Sequence, residues 1–252
     1  MTELHLKERF KIGETKMIIV IEGTDGSGKA TQTKLLLESL TAQGYKCGTI
    51  SFPNYPSPSC APVKMYLGGE LGQDANCLDA KQASSLFAVD RLLTMHNVDV
   101  DSYDYLILDR YTPSNMIHQA CKTNSFEKCD ECLEWLDNFE YNDLKLPRPD
   151  KVVFLDVPVE VSLMLAHARA NLKNGEKKDI HENNTRYMKK AYNCAKYVAR
   201  KYNWDVVNCA PNGELLSIDE IHEKVLNSVT QTQDLAQELD LHYRSIQPEF
   251  CF

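Results

Sequence analysis

The chain has 252 residues, 43% of them hydrophobic, and a formal net charge of −8 at pH 7, which fits one α/β domain with short extensions. This acidity, without a long run of Lys and Arg, excludes nucleic acid as an expected partner. No stretch approaches about 18 consecutive apolar residues, and residues 1–16 lack the pattern of a secretory signal. We therefore expect no membrane partner and a cytoplasmic location, where the scattered cysteines stay reduced.

The first predicted element is an apolar strand at 17–22, which leads through a glycine-rich loop into a helix at 29–43. The loop fits the pattern G-x-x-x-x-G-K, whose backbone N–H groups bind a polyphosphate while the lysine reaches its outer oxygens. Ala30 stands where the pattern usually has a hydroxyl that holds magnesium. Thr31 lies about 100° further around the helix, so we do not expect it simply to replace that hydroxyl.

Four more predicted strands alternate with helices along the rest of the chain. The strands are predicted at 47–52, 105–109, 151–157 and 205–209. The helices are predicted at 60–70, 80–97, up to 119, 158–170, 183–202 and 217–229. This alternation predicts an α/β fold of three layers, in which helices flank a five-stranded parallel sheet and ligands bind at the carboxyl ends of the strands.

Candidate ligand-binding residues follow the predicted strands and one helix. Tyr55 lies in a proline-rich loop after the second strand, where it either donates to a phosphate or covers the core. Phe87 and Arg91 lie one helical turn apart and either form a base-binding surface or are a core aromatic and a surface cation. Asp109 ends the third strand, where a carboxylate can hold magnesium or its water.

A polar and basic segment at 171–182 is the candidate lid. Together with Arg169, its lysines would neutralise charge on a transferred phosphoryl group when the segment closes over the site. A solvated loop between two helices would have the same composition, so the residues alone leave both interpretations open.

Six strings in the same order resemble thymidylate kinases. They are the phosphate loop, Phe-Pro-x-Tyr, Leu-Phe-Ala-x-Asp-Arg, Leu-Asp-Arg-Tyr-x-x-Ser-Asn, Leu-Pro-x-Pro-Asp and a lid ending in Asp-Ile-His-Glu. The resemblance implies a P-loop domain at 17–229, with extensions at 1–16 and 230–252. It also implies phosphorylation of dTMP to dTDP, with ATP as co-substrate and Mg²⁺, by a homodimer.

The resemblance also implies a role for each site residue. ATP phosphates would be bound by Gly23, Thr24, Asp25, Gly26, Ser27, Gly28, Lys29, Ala30 and Thr31. Substrate dTMP would be bound by Asp25, Phe52, Tyr55, Phe87, Arg91, Arg110, Asn115 and Gln119. Catalysis would depend on Lys29, Arg110, Asp25 and a cation chosen from Arg169, Lys177 and Lys178. Asp109 would organise the metal.

Three positions depart from the family pattern and keep alternatives open. Asn54 stands beside the loop proline where the family often has a basic residue, and Ala30 lacks a hydroxyl. Gly26 and Ser27 provide no arginine in the phosphate loop, which resembles members that supply the catalytic cation from the lid, and here the lid offers mostly lysines. The alternatives are a kinase for another nucleoside monophosphate or nucleoside, and a nucleotide-binding sensor without transfer activity. A GTPase-type switch is disfavoured because the sequence has no Asn-Lys-x-Asp string.

Overall fold

The structure is a computed structural model that describes residues 16–172 and 185–230, without the side chains of residues 166–185. Five parallel strands form one sheet in the order β2-β3-β1-β4-β5. They are β1 Met17–Glu22, β2 Cys47–Ser51, β3 Tyr105–Asp109, β4 Lys151–Asp156 and β5 Asp205–Asn208. The predicted fold class is confirmed, and each predicted strand lies within one residue of its observed bounds.

Helices connect the strands and cover both faces of the sheet. They are α1 Lys29–Ala42, α2 Ala61–Leu67, α3 Ala80–Met95, α4 Thr112–His118, α5 Phe126–Asp137, α6 Val159–Leu172, α7 Thr185–Lys201 and α8 at 218–230. A π-helix, Asn138–Asp143, continues α5, and short 3₁₀ turns lie at Pro58–Cys60, Val100–Ser102, Ala120–Lys122 and Pro211–Gly213. Within the described residues, no helix is both long and apolar enough to cross a membrane.

Strand β1 shows why the sheet is buried on both faces. Its side chains alternate, so that Ile18 and Val20 pack in one core while Ile19 and Ile21 pack in another. The first core includes residues of α5 and α7, and the second includes residues of α1 and α8. The continuous apolar run of β1 is therefore typical of a central parallel strand between two helical layers.

The carboxyl ends of β1, β2 and β3 meet at one edge of the sheet. Backbone hydrogen bonds extend this edge beyond the strands, because Phe52 N donates to Asp109 O at 2.9 Å and Arg110 N donates to Ile21 O at 3.2 Å. The glycine-rich loop, the proline-rich loop and the segment after β3 all begin here. This geometry brings three separate sequence motifs to the same place.

Candidate active site

A cavity of about 370 Å³ lies at this edge and brings most of the predicted site residues together. The predicted residues that line it are Asp25, Gly26, Gly28, Lys29, Ala30, Thr31, Phe52, Tyr55, Phe87, Arg91, Asp109, Arg110, Asn115 and Gln119. Three further predicted residues, Gly23, Thr24 and Ser27, belong to the loop but are not among the lining residues.

The glycine-rich loop has a backbone that only glycine adopts readily. Gly26 has φ of 85°, and a Cβ there would lie 2.6 Å from the carbonyl oxygen of Ser162. Gly28 has φ of 88° and begins α1 without a side-chain cap, and the first turn of α1 carries no acidic residue. The N–H groups of the first helical turn therefore lack a side-chain acceptor, which fits the binding of a phosphate at this helix end.

Lys29 is buried against the loop that it follows. Its Nζ donates to the carbonyl oxygen of Thr24 at 2.8 Å and to Oγ of Ser27 at 3.4 Å. Burial and the nearby guanidinium of Arg110 lower the pKa of Lys29 to about 8, although neighbouring carboxylates oppose the shift. A phosphate would replace these neutral acceptors with a charged one and favour the ammonium form.

A hydroxyl lies on the cavity wall despite Ala30. Thr31 lines the cavity beside Ala30, and both side chains are exposed. Asp109 lines the same cavity from the end of β3. Mg²⁺ commonly binds one or two carboxylates together with substrate phosphates. Thr31 and Asp109 therefore suit a metal ion whose other ligands are mainly the phosphates of a bound nucleotide.

Arg110 lies at the centre of a charged group that includes one residue the sequence did not identify. It forms an ion pair with Asp25, and its Nη1 lies 3.6 Å from Oε1 of Glu22 and 3.3 Å from Nε2 of His118. Glu22 is fully buried, and burial raises its pKa against the opposing effect of Arg110. Ser114 donates to Glu22 at 2.7 Å, which further satisfies the carboxylate.

The predicted base-binding residues line the same cavity. Phe87 is partly buried and lies edge-on to Tyr66, with ring centroids 6.1 Å apart. Arg91 and Asn115 are buried, and both contact Glu140, a second residue that the sequence analysis did not identify. Gln119 is buried as well, and its Oε1 has no hydrogen-bond partner among the described residues.

The loop after β2 is fixed by α3. A buried carboxylate, Asp90, accepts from the backbone N of Asn54 at 2.7 Å and from Oγ of Ser59 at 2.7 Å. The side chain of Asn54 donates to Oγ1 of Thr94 at 3.2 Å, so its amide is bound to α3. Tyr55 lines the cavity with half of its surface exposed, which fits ligand contact better than a cover on the core.

The predicted lid lies mostly outside the described residues. Residues 171 and 172 end α6, whereas Lys177 and Lys178 are not described. The structure describes the backbone of Arg169 as part of α6 but does not describe its side chain. The choice of the lid cation therefore stays a prediction.

This combination of fold and site defines a class, the P-loop enzymes that transfer a phosphoryl group to a small acceptor. A sequence model of the Thymidylate kinase family matches residues 21–225. The thymidylate kinase of Mycobacterium tuberculosis is 33% identical over 169 residues, which are 66% of this chain and 78% of that protein. The chain therefore belongs to the thymidylate kinase family.

Two more distant comparisons show similarity, the first in sequence and the second in fold. The probable thymidylate kinase of Pyrococcus abyssi is 28% identical over 211 residues, which are 82% of this chain and 93% of that protein. The solved structure of the Candida albicans thymidylate kinase has a TM-score of 0.65 and 20% identity, and the match covers 87% of this chain and 93% of that one. Family membership confirms the predicted enzyme, a phosphotransferase that phosphorylates dTMP.

Proposed function

We propose that this enzyme transfers the γ-phosphate of ATP to dTMP with the help of Mg²⁺. The observation that supports the proposal is a single cavity lined both by cations and by groups suited to a planar base. The cations are Lys29, Arg110 and Arg91, and Phe87 and Asn115 line the same cavity. A nucleoside monophosphate has the matching chemistry, since it carries an anionic phosphate and a planar base with hydrogen-bonding edges.

The mechanism requires positioning and charge neutralisation rather than a general base, because the acceptor phosphate is already anionic. We assign Lys29 and the N–H groups at the start of α1 to the ATP phosphates. Arg110 and Tyr55 would hold the acceptor phosphate, which leaves Asp25 to bind the sugar hydroxyl. Bound Mg²⁺, held through Asp109, would neutralise phosphate charge, and Arg169, Lys177 or Lys178 would add a cation from the lid.

An acceptor panel tests the proposed reaction. We expect ADP release with ATP and Mg²⁺ to be fastest with dTMP among dTMP, dUMP, dCMP, UMP, AMP and thymidine. Faster turnover of another acceptor would keep phosphoryl transfer but contradict the thymine assignment. Tight ATP binding without product from any acceptor would contradict the kinase and support the sensor alternative.

The exposed face of α3 supports a homodimer, which we propose by family resemblance. Val89 and Leu93 lie one helical turn apart on this helix and are 43% and 50% exposed. Two such faces could bury each other across a symmetry axis. Sedimentation velocity at several concentrations should show a dimer, and Leu93→Glu should shift the protein to monomer. A wild-type protein that stays monomeric at every concentration would contradict this proposal.

We also propose a cytoplasmic location and a domain at 17–229 with terminal extensions. The cysteines that the structure describes are free thiols, which suits a reducing compartment. The family match at 21–225 lies within the proposed domain.

A further inference from the structure

Glu140 is a buried carboxylate that contacts both side chains assigned to the edge of the base. It belongs to the π-helix Asn138–Asp143, and its side chain is 1% exposed. Nε of Arg91 donates to Oε2 of Glu140 at 2.7 Å, and Nη2 of Arg91 donates to Oε1 at 2.8 Å. Nδ2 of Asn115 donates to the same Oε1 at 2.7 Å. One carboxylate therefore orients two base-reading groups.

The contacts of Asn115 define which end of its amide is left for a ligand. Its Nδ2 also donates to the carbonyl oxygen of Ser84 at 3.2 Å. Both neighbours of this terminal atom, a carboxylate and a carbonyl, only accept hydrogen bonds, so the atom must be the nitrogen. The remaining terminal atom is Oδ1, and Asn115 lines the cavity. Because both N–H groups of Nδ2 are used in these contacts, Asn115 can offer a base only Oδ1, which is a hydrogen-bond acceptor.

Arg91, in contrast to Asn115, can only donate hydrogen bonds to a ligand. A guanidinium has five N–H donors and no acceptor. Its Nε and Nη2 bind Glu140 as a fork, and its Nη1 lies 3.4 Å from the carbonyl oxygen of Tyr111. These contacts fix the plane of the guanidinium. They use only one of the two N–H groups on Nη1 and one of the two on Nη2. Because Arg91 also lines the cavity, it presents only donors there.

We propose that Glu140 is a positioning residue that sets the hydrogen-bond polarity of the base pocket and thereby selects a 4-oxo pyrimidine over a 4-amino pyrimidine. The inference rests on the proposed function, since it concerns how the same pocket reads its acceptor. In thymine, O4 accepts and N3–H donates, which matches a donor from Arg91 beside an acceptor from Asn115. In cytosine the 4-amino group donates and N3 accepts a hydrogen bond. The donor of Arg91 would then face a donor and the acceptor of Asn115 would face an acceptor, so both buried groups would lose their hydrogen bonds to the base.

Substitution Glu140→Gln tests the proposal because it keeps the size of the side chain but replaces one acceptor oxygen with an NH₂ donor. That donor cannot accept from Arg91 or Asn115, so the guanidinium must shift or the Asn115 amide must turn its nitrogen towards the base. We expect the ratio of kcat/KM for dTMP to kcat/KM for dCMP to fall about 10²-fold, mainly through a higher KM for dTMP. Calorimetric Kd values for the two nucleotides should show the same change without turnover.

Two further variants separate positioning from folding. Tyr141→Phe changes the neighbouring buried residue and removes its hydroxyl contact with Thr112, so it should lower the melting temperature without changing the acceptor ratio. Glu140→Asp keeps a carboxylate that only accepts, so it should retain the preference for dTMP while it weakens binding. It also serves as the test variant if Glu140→Gln does not fold, and loss of the preference in Glu140→Asp would overturn the proposal.

The outcomes distinguish this proposal from the function on which it rests. A wild-type enzyme that does not prefer dTMP to dCMP would overturn the proposed function and the polarity argument together. A wild-type enzyme with that preference, combined with a folded Glu140→Gln variant whose acceptor ratio is unchanged, would overturn the role of Glu140 alone. An equal loss of activity with both acceptors would have the same meaning, since it would show a purely structural role.

Discussion

Substitution Lys29→Ala is expected to lower kcat by at least about 10³-fold while the protein still folds. The ammonium lies where the glycine-rich loop meets the start of α1, and without it the charge that develops on the transferred phosphoryl group loses a fixed cation. Folding should persist because burial depresses the pKa of Lys29, which means that the buried ammonium opposes stability. ADP release at saturating ATP and dTMP measures kcat, and circular dichroism with thermal melting measures folding.

Lys34→Ala is the matched control for this substitution. Lys34 lies on the same helix with its side chain 75% exposed, and it pairs with Glu38 at 3.7 Å. Such a surface pair contributes little to stability, so this variant should keep kcat within about twofold of wild type. A folded Lys29→Ala enzyme with kcat near that of Lys34→Ala would refute the assigned role of the loop lysine.

The pH dependence of the wild-type enzyme gives a second measure of Lys29. Its pKa of about 8 lies below its ordinary value because of burial and Arg110, so the free enzyme loses this cation as the pH rises through that region. Because kcat/KM reports the ionisation of the free enzyme, kcat/KM for ATP should fall above about pH 8. A profile that stays flat up to pH 10 would show that the ammonium is not required for ATP capture.

The strands and the glycine-rich loop could be predicted because their signals are local. An apolar run such as that of β1 is buried on both sides, and Gly26 and Gly28 mark a backbone that other residues disfavour. The helix predicted at 60–70 proved shorter, since α2 ends at Leu67 and is followed by Gly68 and Gly69, the latter with φ of 79°. Glycine after a helix is a local stop signal that the prediction did not use.

The buried acids of the site could not be predicted in the same way. Glu22 ends an apolar strand directly before the loop, and that position is the one sequence signal that could have identified it. Glu140 lies in the polar string Asn-Phe-Glu-Tyr-Asn-Asp, which is typical of an exposed segment. Its burial depends on Arg91 and Asn115, which α3 and α4 bring to it from distant parts of the chain. Tertiary contacts of this kind leave no local pattern.

Substitution Arg110→Lys is expected to lower kcat/KM for dTMP by about 10²-fold or more, while KM for ATP changes by less than about threefold. Lysine keeps a positive charge beside Glu22 and Asp25, so the buried carboxylate retains a cation and the fold should be preserved. What lysine cannot supply is the planar fork that grips two oxygens of the acceptor phosphate. A 10²-fold loss corresponds to about 2.7 kcal/mol of transition-state stabilisation.

Arg148→Lys provides the control, because Arg148 also uses a planar fork but is not among the residues that line the cavity. Its Nη1 and Nη2 bind the carboxylate of Asp137 at 2.6 and 2.7 Å, and its side chain is 53% exposed. Loss of that fork should leave kcat/KM for dTMP unchanged. If Arg110→Lys behaved like Arg148→Lys, a point charge would suffice at the acceptor phosphate, and the assignment of bidentate recognition to Arg110 would be wrong. If instead only the dTMP parameters changed, the acceptor phosphate would be located at Arg110 rather than at Lys29.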